Sequence, residues 1–208
     1  KSVIKKDHLV NNLEVQVDED CSHIIARRQP TAGDLRMVLM MIKTITDLER
    51  IGDEATKVAR FALKAAESSQ KLTPRFVEIK AMANTARDML HMALDAFARS
   101  DATKVIEITH MDEEVDEQYQ AAIRQLITFM LEDPRTISIS LEVLFVAKAV
   151  ERIGDHAKNI AEYVVYMVKG KDVRHVSMEE MEHEATRWVL NKPKLKLWLV
   201  NAMVQKSY

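Results

Sequence analysis

The chain has 208 residues, of which 30 are basic and 32 acidic, so its formal net charge is −2 at pH 7. This balance lacks the basic excess of nucleic-acid-binding domains, and we therefore expect no nucleic-acid partner. Hydrophobic residues make up 47% of the chain, aromatic residues only 5%, and glycine and proline occur four times each. Because unbranched side chains lose little rotamer freedom in a helix, this composition predicts an all-α protein.

The sequence also indicates where such a protein is found. No uninterrupted apolar run is long enough to cross a bilayer and no signal-peptide pattern is visible, so we expect no membrane insertion. Cys21 is the single cysteine, which excludes an internal disulfide and fits a reducing cytoplasm.

Hydrophobic periodicity and the breaks between periodic segments predict five long helices. In chain order they span about residues 7–28, 34–66, 75–99, 102–132 and 135–169. The first is expected to bury Leu13 and Cys21, the segment 68–74 is the clearest linker, and Gly170 is a suitable helix-ending residue. Helices of this length are stable mainly through antiparallel packing, so we expect helical bundles.

The pentapeptide ERIGD occurs twice, within the second and the fifth predicted helices. The copies lie at 49–53 and 151–155, and the apolar pattern that follows them repeats at the same offset of 102. In the helices that precede them, Asp7 aligns with Asp112 at an offset of 105. Helices one and two therefore repeat as helices four and five.

A third predicted helix precedes the second pair, whereas nothing equivalent precedes the first pair. By symmetry we expect one helix to be absent before Lys1, so that two helices and three remain of an ancestral tandem of three-helix bundles. The expected domains are an N-terminal bundle with two of its three helices, a C-terminal three-helix bundle, and a tail without an assigned role. They span residues 1–69, 70–177 and 178–208.

Each ERIGD block places two carboxylates four residues apart, on one face of a helix. The four acids are Glu49, Asp53, Glu151 and Asp155. Neighbouring carboxylates repel each other unless a cation lies between them. An ordinary surface ion pair supplies one, and Lys57 and Lys158 lie near enough along their helices to pair with Asp53 and Asp155.

The glycine of each block favours a more specific interpretation. Gly52 and Gly154 each cost about 1 kcal/mol relative to alanine in a helix interior, and a repeated mid-helix glycine indicates a close neighbouring helix. Other polar side chains are candidates to converge there: Asp7, Asn11, Glu14, Asp112, Glu113 and Asp116, with Asp88, His91 and Asp95 as a further polar stripe. Oxygen-rich sites suit magnesium, manganese, iron or zinc, so the duplicated block predicts a metal site.

Two alternatives to a duplicated regulatory metal site remain open. A ferritin-like metalloenzyme would use ExxH ligands, which occur at Glu107–His110 and Glu180–His183 but are not related by the repeat. A plain structural bundle would use ERIGD for packing alone.

Several strings together resemble the PhoU family of phosphate-signalling regulators. They are the two ERIGD blocks, RRQPTAGDLR at 27–36, RQLITFMLEDPRTI at 124–137 and YMVKGKDVRH at 166–175. The resemblance covers roughly residues 1–177 and implies two similar three-helix bundles, the first helix of the N-terminal bundle being the absent one. The tail at 178–208 is unlike the family.

The resemblance implies a function as well as a fold. It implies a cytoplasmic, non-enzymatic adaptor that links the ATPase subunit of a phosphate ABC transporter to a phosphate-sensing histidine kinase, represses the phosphate-starvation response, and forms a homodimer. It also implies that the ExxxD motifs bind metal ions. The candidate ligands are Glu49, Asp53, Glu151 and Asp155, with Asn11, Asp112 and Asp116 on the preceding helices.

Overall fold

The computed structural model describes residues 2–67, 77–174 and 176–186, and over these ranges the regular structure is entirely helical. The α-helices of these ranges are α1 (Ser2–Arg28), α2 (Ala32–Glu67), α3 (Val77–Arg99), α4 (Lys104–Glu132), α5 (Ile137–Lys169) and α6 (Met178–Thr186). A single 3₁₀ turn, Pro134–Thr136, leads into α5. The prediction of an all-α protein is confirmed.

The five predicted helices correspond to α1 to α5, and their ends differ from the predicted ends by a few residues. The largest difference is at the start of α1, which begins at Ser2 instead of residue 7. α6 lies within the tail for which no role was predicted, whereas residues 194–200, whose alternating sequence KLKLWLV is typical of a strand, lie outside the described residues. None of the helices in the described ranges combines the length and the apolar character that crossing a membrane requires.

Two long helices, α2 and α5, pack against each other and carry the remaining helices. α1 packs on α2, whereas α3 and α4 pack on α5 and on each other. The described chain is thus a pair of helices joined to a group of three through the α2–α5 contact. The domain boundaries at 69 and 177 and the absence of a helix before Lys1 stay predictions.

The main hydrophobic core lies between α3, α4 and α5. Its fully buried side chains include Met82, Met89, Ile108, Val115, Ile160 and Val165. α6 adds Met181 and Ala185 to this core, so the first part of the tail is part of the folded protein. Unbranched methionines and small alanines fill the space between long helices with few aromatic rings.

The predicted burial of α1 is only partly correct. Cys21 is buried as expected, but Leu13 is 50% exposed, and Val3, Leu9 and Val15 also face solvent. The reason is that α1 packs mainly on α2, so one flank of the helix is covered and the other is open. Periodicity locates the apolar positions of a helix but not the number of its neighbours.

Gly170 ends α5 in the left-handed conformation, with φ 72°, and its amide donates to the carbonyl of Tyr166. A Cβ atom at this position would lie 3.1 Å from Cζ of Arg36, at the start of α2. We expect Gly170→Ala to lower the free energy of unfolding by about 1–2 kcal/mol, because alanine is strained at positive φ. Urea unfolding followed by circular dichroism measures this change.

Gly33→Ala is the matched control for this prediction. Gly33 lies beside the same arginine, but a Cβ atom there would meet only Nη2 of Arg36, at 3.9 Å. We expect no loss of stability, and a gain of up to about 1 kcal/mol from better helix propensity. Equal losses at both glycines would show that crowding near Arg36, and not the backbone conformation of Gly170, sets the cost.

Candidate functional site

Four acidic side chains of α4 and α5 form a group that we call the C-terminal acidic cluster: Asp112, Asp116, Glu151 and Asp155. Each helix contributes two of them at four-residue spacing, so both pairs face the contact between the helices. Asp112 and Glu151 are buried, with 4% and 9% exposure, whereas Asp116 and Asp155 reach solvent. The prediction that carboxylates from two helices converge beside the second ERIGD block agrees with this arrangement.

Like charge accumulates in the C-terminal acidic cluster. The side chain of Asp155 reaches solvent, but the surrounding protein removes part of its hydration. This loss of hydration is the largest cause that raises the pKa of Asp155 to about 6, and the negative charges of Glu151, Asp112 and Asp116 add to it. Burial and the charges of Asp112 and Glu151 also raise the pKa of Asp116. Both shifts arise first from lost hydration and then from neighbouring negative charge, which the nearby lysines offset only in part.

Two lysines neutralise the cluster in part. Nζ of Lys158 lies 2.7 Å from Oδ2 of Asp112, and Nζ of Lys148 lies 2.6 Å from Oε1 of Glu151. The predicted pairing of Lys158 with Asp155 along α5 is therefore wrong, because Lys158 reaches across to α4 instead. The second carboxylate oxygen of Glu151, Oε2, is buried and has no hydrogen-bond partner among the described residues.

Gly154 lies where the cluster meets α3. A Cβ atom at Gly154 would be 3.7 Å from Oδ1 of Asp112 and 3.7 Å from the thioether of Met89. These are ordinary van der Waals distances, so the neighbouring helices approach closely enough to exclude a large side chain but not a methyl group. The glycine thus keeps the space beside Asp112 open.

The first ERIGD block forms an equivalent group, the N-terminal acidic cluster, from α1 and α2: Asp7, Glu14, Glu49 and Asp53. Burial raises the pKa of Glu49, and the charges of Asp53, Glu14 and Asp7 add to the effect, while Arg50 opposes it. Asn11 lies on α1 between Asp7 and Glu14 and is exposed. The predicted pairing of Lys57 with Asp53 is wrong, since Nζ of Lys57 lies 2.9 Å from Oε1 of Glu54.

The two clusters differ in what neutralises their carboxylates. At the repeat offset of 102, Lys148 corresponds to Thr46 and Lys158 to Thr56. Oγ1 of Thr56 donates to Oδ1 of Asp7 at 3.2 Å, in the position where Lys158 pairs with Asp112. A hydroxyl group thus replaces an ammonium group in the N-terminal acidic cluster.

The other predicted candidates do not join either cluster. Asp88, His91 and Asp95 are exposed on α3, where Asp88 pairs with Arg87 and Asp95 with Arg99. Glu113 is exposed beside the ring of His110, 3.3 Å away.

The ExxH residues of the ferritin-like alternative are also at the surface. Glu107 pairs with Lys104, and His110 and His183 are exposed. Neither pair faces another pair of metal ligands among the described residues. The described part of the chain therefore offers no support for a di-iron site.

The donor chemistry of the two clusters fits a hard cation, but the arrangement is open. In residues 2–67, 77–174 and 176–186, no three aspartate, glutamate, histidine or cysteine side chains are close enough to hold one ion together. The unpartnered Oε2 of Glu151 and the raised pKa of Asp155 are the features that a cation would satisfy. Rotamer changes of surface carboxylates, and release of Lys148 and Lys158, would be needed to close the site.

Two buried acids of α2 were not predicted from the sequence. Oδ1 of Asp47 lies 2.6 Å from Nδ1 of His156, and Oε1 of Glu54 lies 2.7 Å from Nη1 of Arg152. Both contacts join α2 to α5. The sequence contains one sign of these buried acids: the repeat breaks directly after ERIGD, where Glu54 of the first copy corresponds to His156 of the second copy.

Comparisons with known proteins agree on one family. The family model for the PhoU domain matches residues 1–62 and 79–164. The phosphate-specific transport system accessory protein PhoU of Escherichia coli K12 is 48% identical over 182 residues, which are 88% of this chain and 75% of that protein.

Two solved structures share the fold. The crystal structure of PhoU from Pseudomonas aeruginosa has a TM-score of 0.78 at 45% identity and covers 82% of this chain and 81% of its own. The phosphate transport system regulatory protein PhoU from Streptococcus pneumoniae has a TM-score of 0.74 at 29% identity, over 82% of this chain and 79% of its own.

The raised pKa of Asp155 predicts a pH-dependent effect on stability. Between its ordinary pKa of 3.8 and about 6, the folded state binds more protons than the unfolded state, so stability falls as pH rises through this window. Asp155→Asn cannot ionise. We therefore expect this variant to match the wild type near pH 4 and to be more stable at pH 7, as measured by urea unfolding in the presence of a chelator.

Glu117→Gln, at an exposed position of α4, is the control for removing one negative charge. We expect its difference from the wild type to stay the same from pH 5 to pH 7. If Asp155→Asn gained no stability relative to the wild type over this range, the pKa of Asp155 would not be raised in the folded protein.

Proposed function

This chain belongs to the PhoU family of accessory and regulatory proteins of phosphate-specific transport, which are not enzymes, and on that premise we propose that it is a cytoplasmic adaptor. In this role it links the ATPase subunit of the phosphate ABC transporter to a phosphate-sensing histidine kinase and represses the phosphate-starvation response. The observation that carries the proposal is the duplicated acidic cluster, set in a helical scaffold that matches PhoU structures.

We further propose that each cluster binds divalent or trivalent metal ions, such as iron, zinc, manganese or magnesium. Asp112, Asp116, Glu151 and Asp155 would hold a cation between α4 and α5. When bound, such an ion supplies the positive charge that offsets repulsion between the carboxylates. The side chains themselves bind, orient and hold the two helices in one relative position.

The N-terminal acidic cluster would use Glu49 and Asp53 of α2 with Asp7 and Asn11 of α1. The amide of Asn11 occupies the position of the Asp116 carboxylate, so this set carries one charge fewer at that position. Threonines stand where Lys148 and Lys158 pair with acids in the other cluster. A cation entering the N-terminal acidic cluster therefore displaces no lysine.

A homodimer is part of the same proposal. α1 exposes Leu9 and Leu13 on one face, with 49% and 50% exposure, and Val15 on another face, with 58%. Association through such apolar side chains would remove them from water. The ferritin-like alternative is not favoured by any contact of the ExxH residues.

The metal proposal is tested by metal content, measured by mass spectrometry on protein purified without a metal-affinity step. We expect Glu49→Ala/Asp53→Ala and Glu151→Ala/Asp155→Ala each to lose part of the bound metal, because each pair removes two ligands from one cluster. For Lys148→Thr/Lys158→Thr we expect tighter metal binding at the C-terminal acidic cluster, because no ammonium group then competes with the ion for Glu151 and Asp112. No metal in any form, after reloading with iron, zinc, manganese and magnesium, would contradict the proposal.

The adaptor proposal is tested by binding of the purified protein to the transporter ATPase subunit and to the cytoplasmic part of the kinase, with and without metal. We expect the wild type to bind both proteins, and the Glu151→Ala/Asp155→Ala variant to bind at least one of them several-fold more weakly. Asp88→Asn/Asp95→Asn removes two exposed acids of α3 outside the clusters and should bind as the wild type does. If the wild type binds neither protein under any metal condition, the adaptor role is wrong.

A further inference from the structure

A groove of about 470 Å³ lies between the C-terminal half of α2 and the N-terminal half of α5. Basic side chains dominate its lining: Lys57, Arg60, Lys64, Lys148 and Arg152 stand against only two acids, Glu54 and Glu142. The chain as a whole has a net charge of −2, so this concentration of positive charge is local. The metal proposal uses only Lys148 of this lining.

Ion pairs within the protein compensate part of the positive charge of the groove, and the remaining positive charge is available to a ligand. Glu54 is buried and lies within ion-pair distance of both Lys57 and Arg152. Lys64 pairs with Glu142 at the rim, where Lys64 is 70% exposed in its side chain. Lys148 is paired with Glu151 outside the lining, so the other four cations against the two lining carboxylates leave a net positive groove that attracts acidic side chains.

The floor and one edge of the groove are apolar. Phe61, Val146 and Ala149 line it, together with Phe145, which is 71% exposed. The apolar surface continues along α5 at four-residue spacing through Leu141 and Ile137, each 43% exposed. These three side chains, Phe145, Leu141 and Ile137, form an apolar stripe on one helix face that nothing in the described chain covers.

We propose that this groove is the docking site for an acidic amphipathic helix of a partner protein. Its apolar face packs along the stripe of Phe145, Leu141 and Ile137, and its carboxylates meet Arg60 and Lys64. The inference deepens the proposed adaptor function, on which it rests for the existence of a protein partner, and it names the surface and the chemistry of contact. Phe145 is the anchor residue, because it is the large apolar side chain that both lines the groove and is mostly exposed.

Other occupants match the lining less well. A free phosphate or nucleotide would use the cations but would leave the apolar stripe in water. A membrane surface is flat, whereas these side chains surround a concave groove that also contains Glu54 and Glu142. A second copy placed symmetrically would set one positive groove against another, so the two surfaces would repel each other.

The test uses a fluorescein-labelled synthetic helix with a leucine stripe at four-residue spacing flanked by glutamates, and measures anisotropy with the full-length protein. We expect saturable binding that weakens with salt. Phe145→Ser should weaken it about tenfold or more, as for a central anchor residue. Arg60→Glu/Lys64→Glu should do the same and should instead bind the peptide in which lysine replaces every glutamate.

Two control variants test whether peptide binding needs the side chains of the groove or any exposed apolar or charged side chain. Leu131→Ser removes a side chain that is 79% exposed on α4 outside the groove, and Arg87→Glu reverses an exposed charge on α3. Both should bind the acidic peptide as the wild type does. Equal loss in Phe145→Ser and Leu131→Ser, or no binding by the wild type, would overturn the proposal.

Two further outcomes would assign the groove to another occupant and thus also overturn it. One is sedimentation with phosphatidylserine vesicles that depends on Phe145 and is not blocked by the peptide. The other is a change from dimer to monomer in Phe145→Ser, measured by analytical ultracentrifugation.

Binding to the kinase part and the ATPase subunit distinguishes failure of this inference from failure of the adaptor role. If the wild type binds neither protein, the adaptor role fails, while the peptide experiment still reports on the groove. If the wild type binds a partner and Phe145→Ser binds it equally well, the adaptor role stands and the groove is not its docking site.

Discussion

The contact between α2 and α5 is the interaction on which the rest of the structure depends. Two buried acids of α2 cross it: Asp47 meets His156, and Glu54 meets Arg152. Removing the partner of a buried carboxylate costs several kcal/mol, so both acids favour the packing of α2 on α5 that supplies His156 and Arg152. Sliding α2 by one turn along α5 would separate Asp47 from His156 and would leave Glu54 with only Lys57 of its own helix, which favours the observed register of the two helices.

This register also determines where the functional surfaces lie. Successive residues of a helix are turned by about 100°, so Arg152 faces α2 while its neighbour Glu151 faces α4. In α2, Asp47 and Glu54 face α5 while Glu49 and Asp53 face α1. Each central helix therefore joins the two halves with one face and presents an acidic pair to its own half with another. The basic groove lies where the α2–α5 contact opens towards solvent.

Much of this arrangement follows from the sequence alone, because it depends on spacing along a helix. The five long helices, the buried Cys21 and the acids that share a face were all predicted from periodicity and from the repeat. The lysine partners were predicted wrongly, since Lys57 and Lys158 bind Glu54 and Asp112 and not the aspartates beside them on the helix. Lys158 reaches a neighbouring helix, which sequence spacing does not describe, whereas Lys57 pairs with the other of two acids within reach on its own helix.

The buried acids Asp47 and Glu54 escaped prediction for a related reason. Nothing in the local pattern separates a buried aspartate from an exposed one when its partner lies more than a hundred residues away. The exposure of Leu13 has the same origin, because it depends on how many helices surround α1. Contacts between helices, unlike positions within them, require the register of packing to be known.

The two halves share the ERIGD acids and the pair Asp7 and Asp112, but they differ in the groups that neutralise them. In the C-terminal half, Lys148 and Lys158 hold Glu151 and Asp112, so a metal ion would compete with an ammonium group at each. In the N-terminal half, threonines occupy both lysine positions: the hydroxyl of Thr56 donates to Asp7, and the nearby cation is Arg50, 3.6 Å from Glu49. Under the proposed function the duplicated sites are therefore unequal: a cation entering the C-terminal acidic cluster competes with two lysines, whereas one entering the N-terminal acidic cluster competes with neither. With such a difference, metal would bind first in the N-terminal half. The α2–α5 contact would then transmit a movement of α2 to α5.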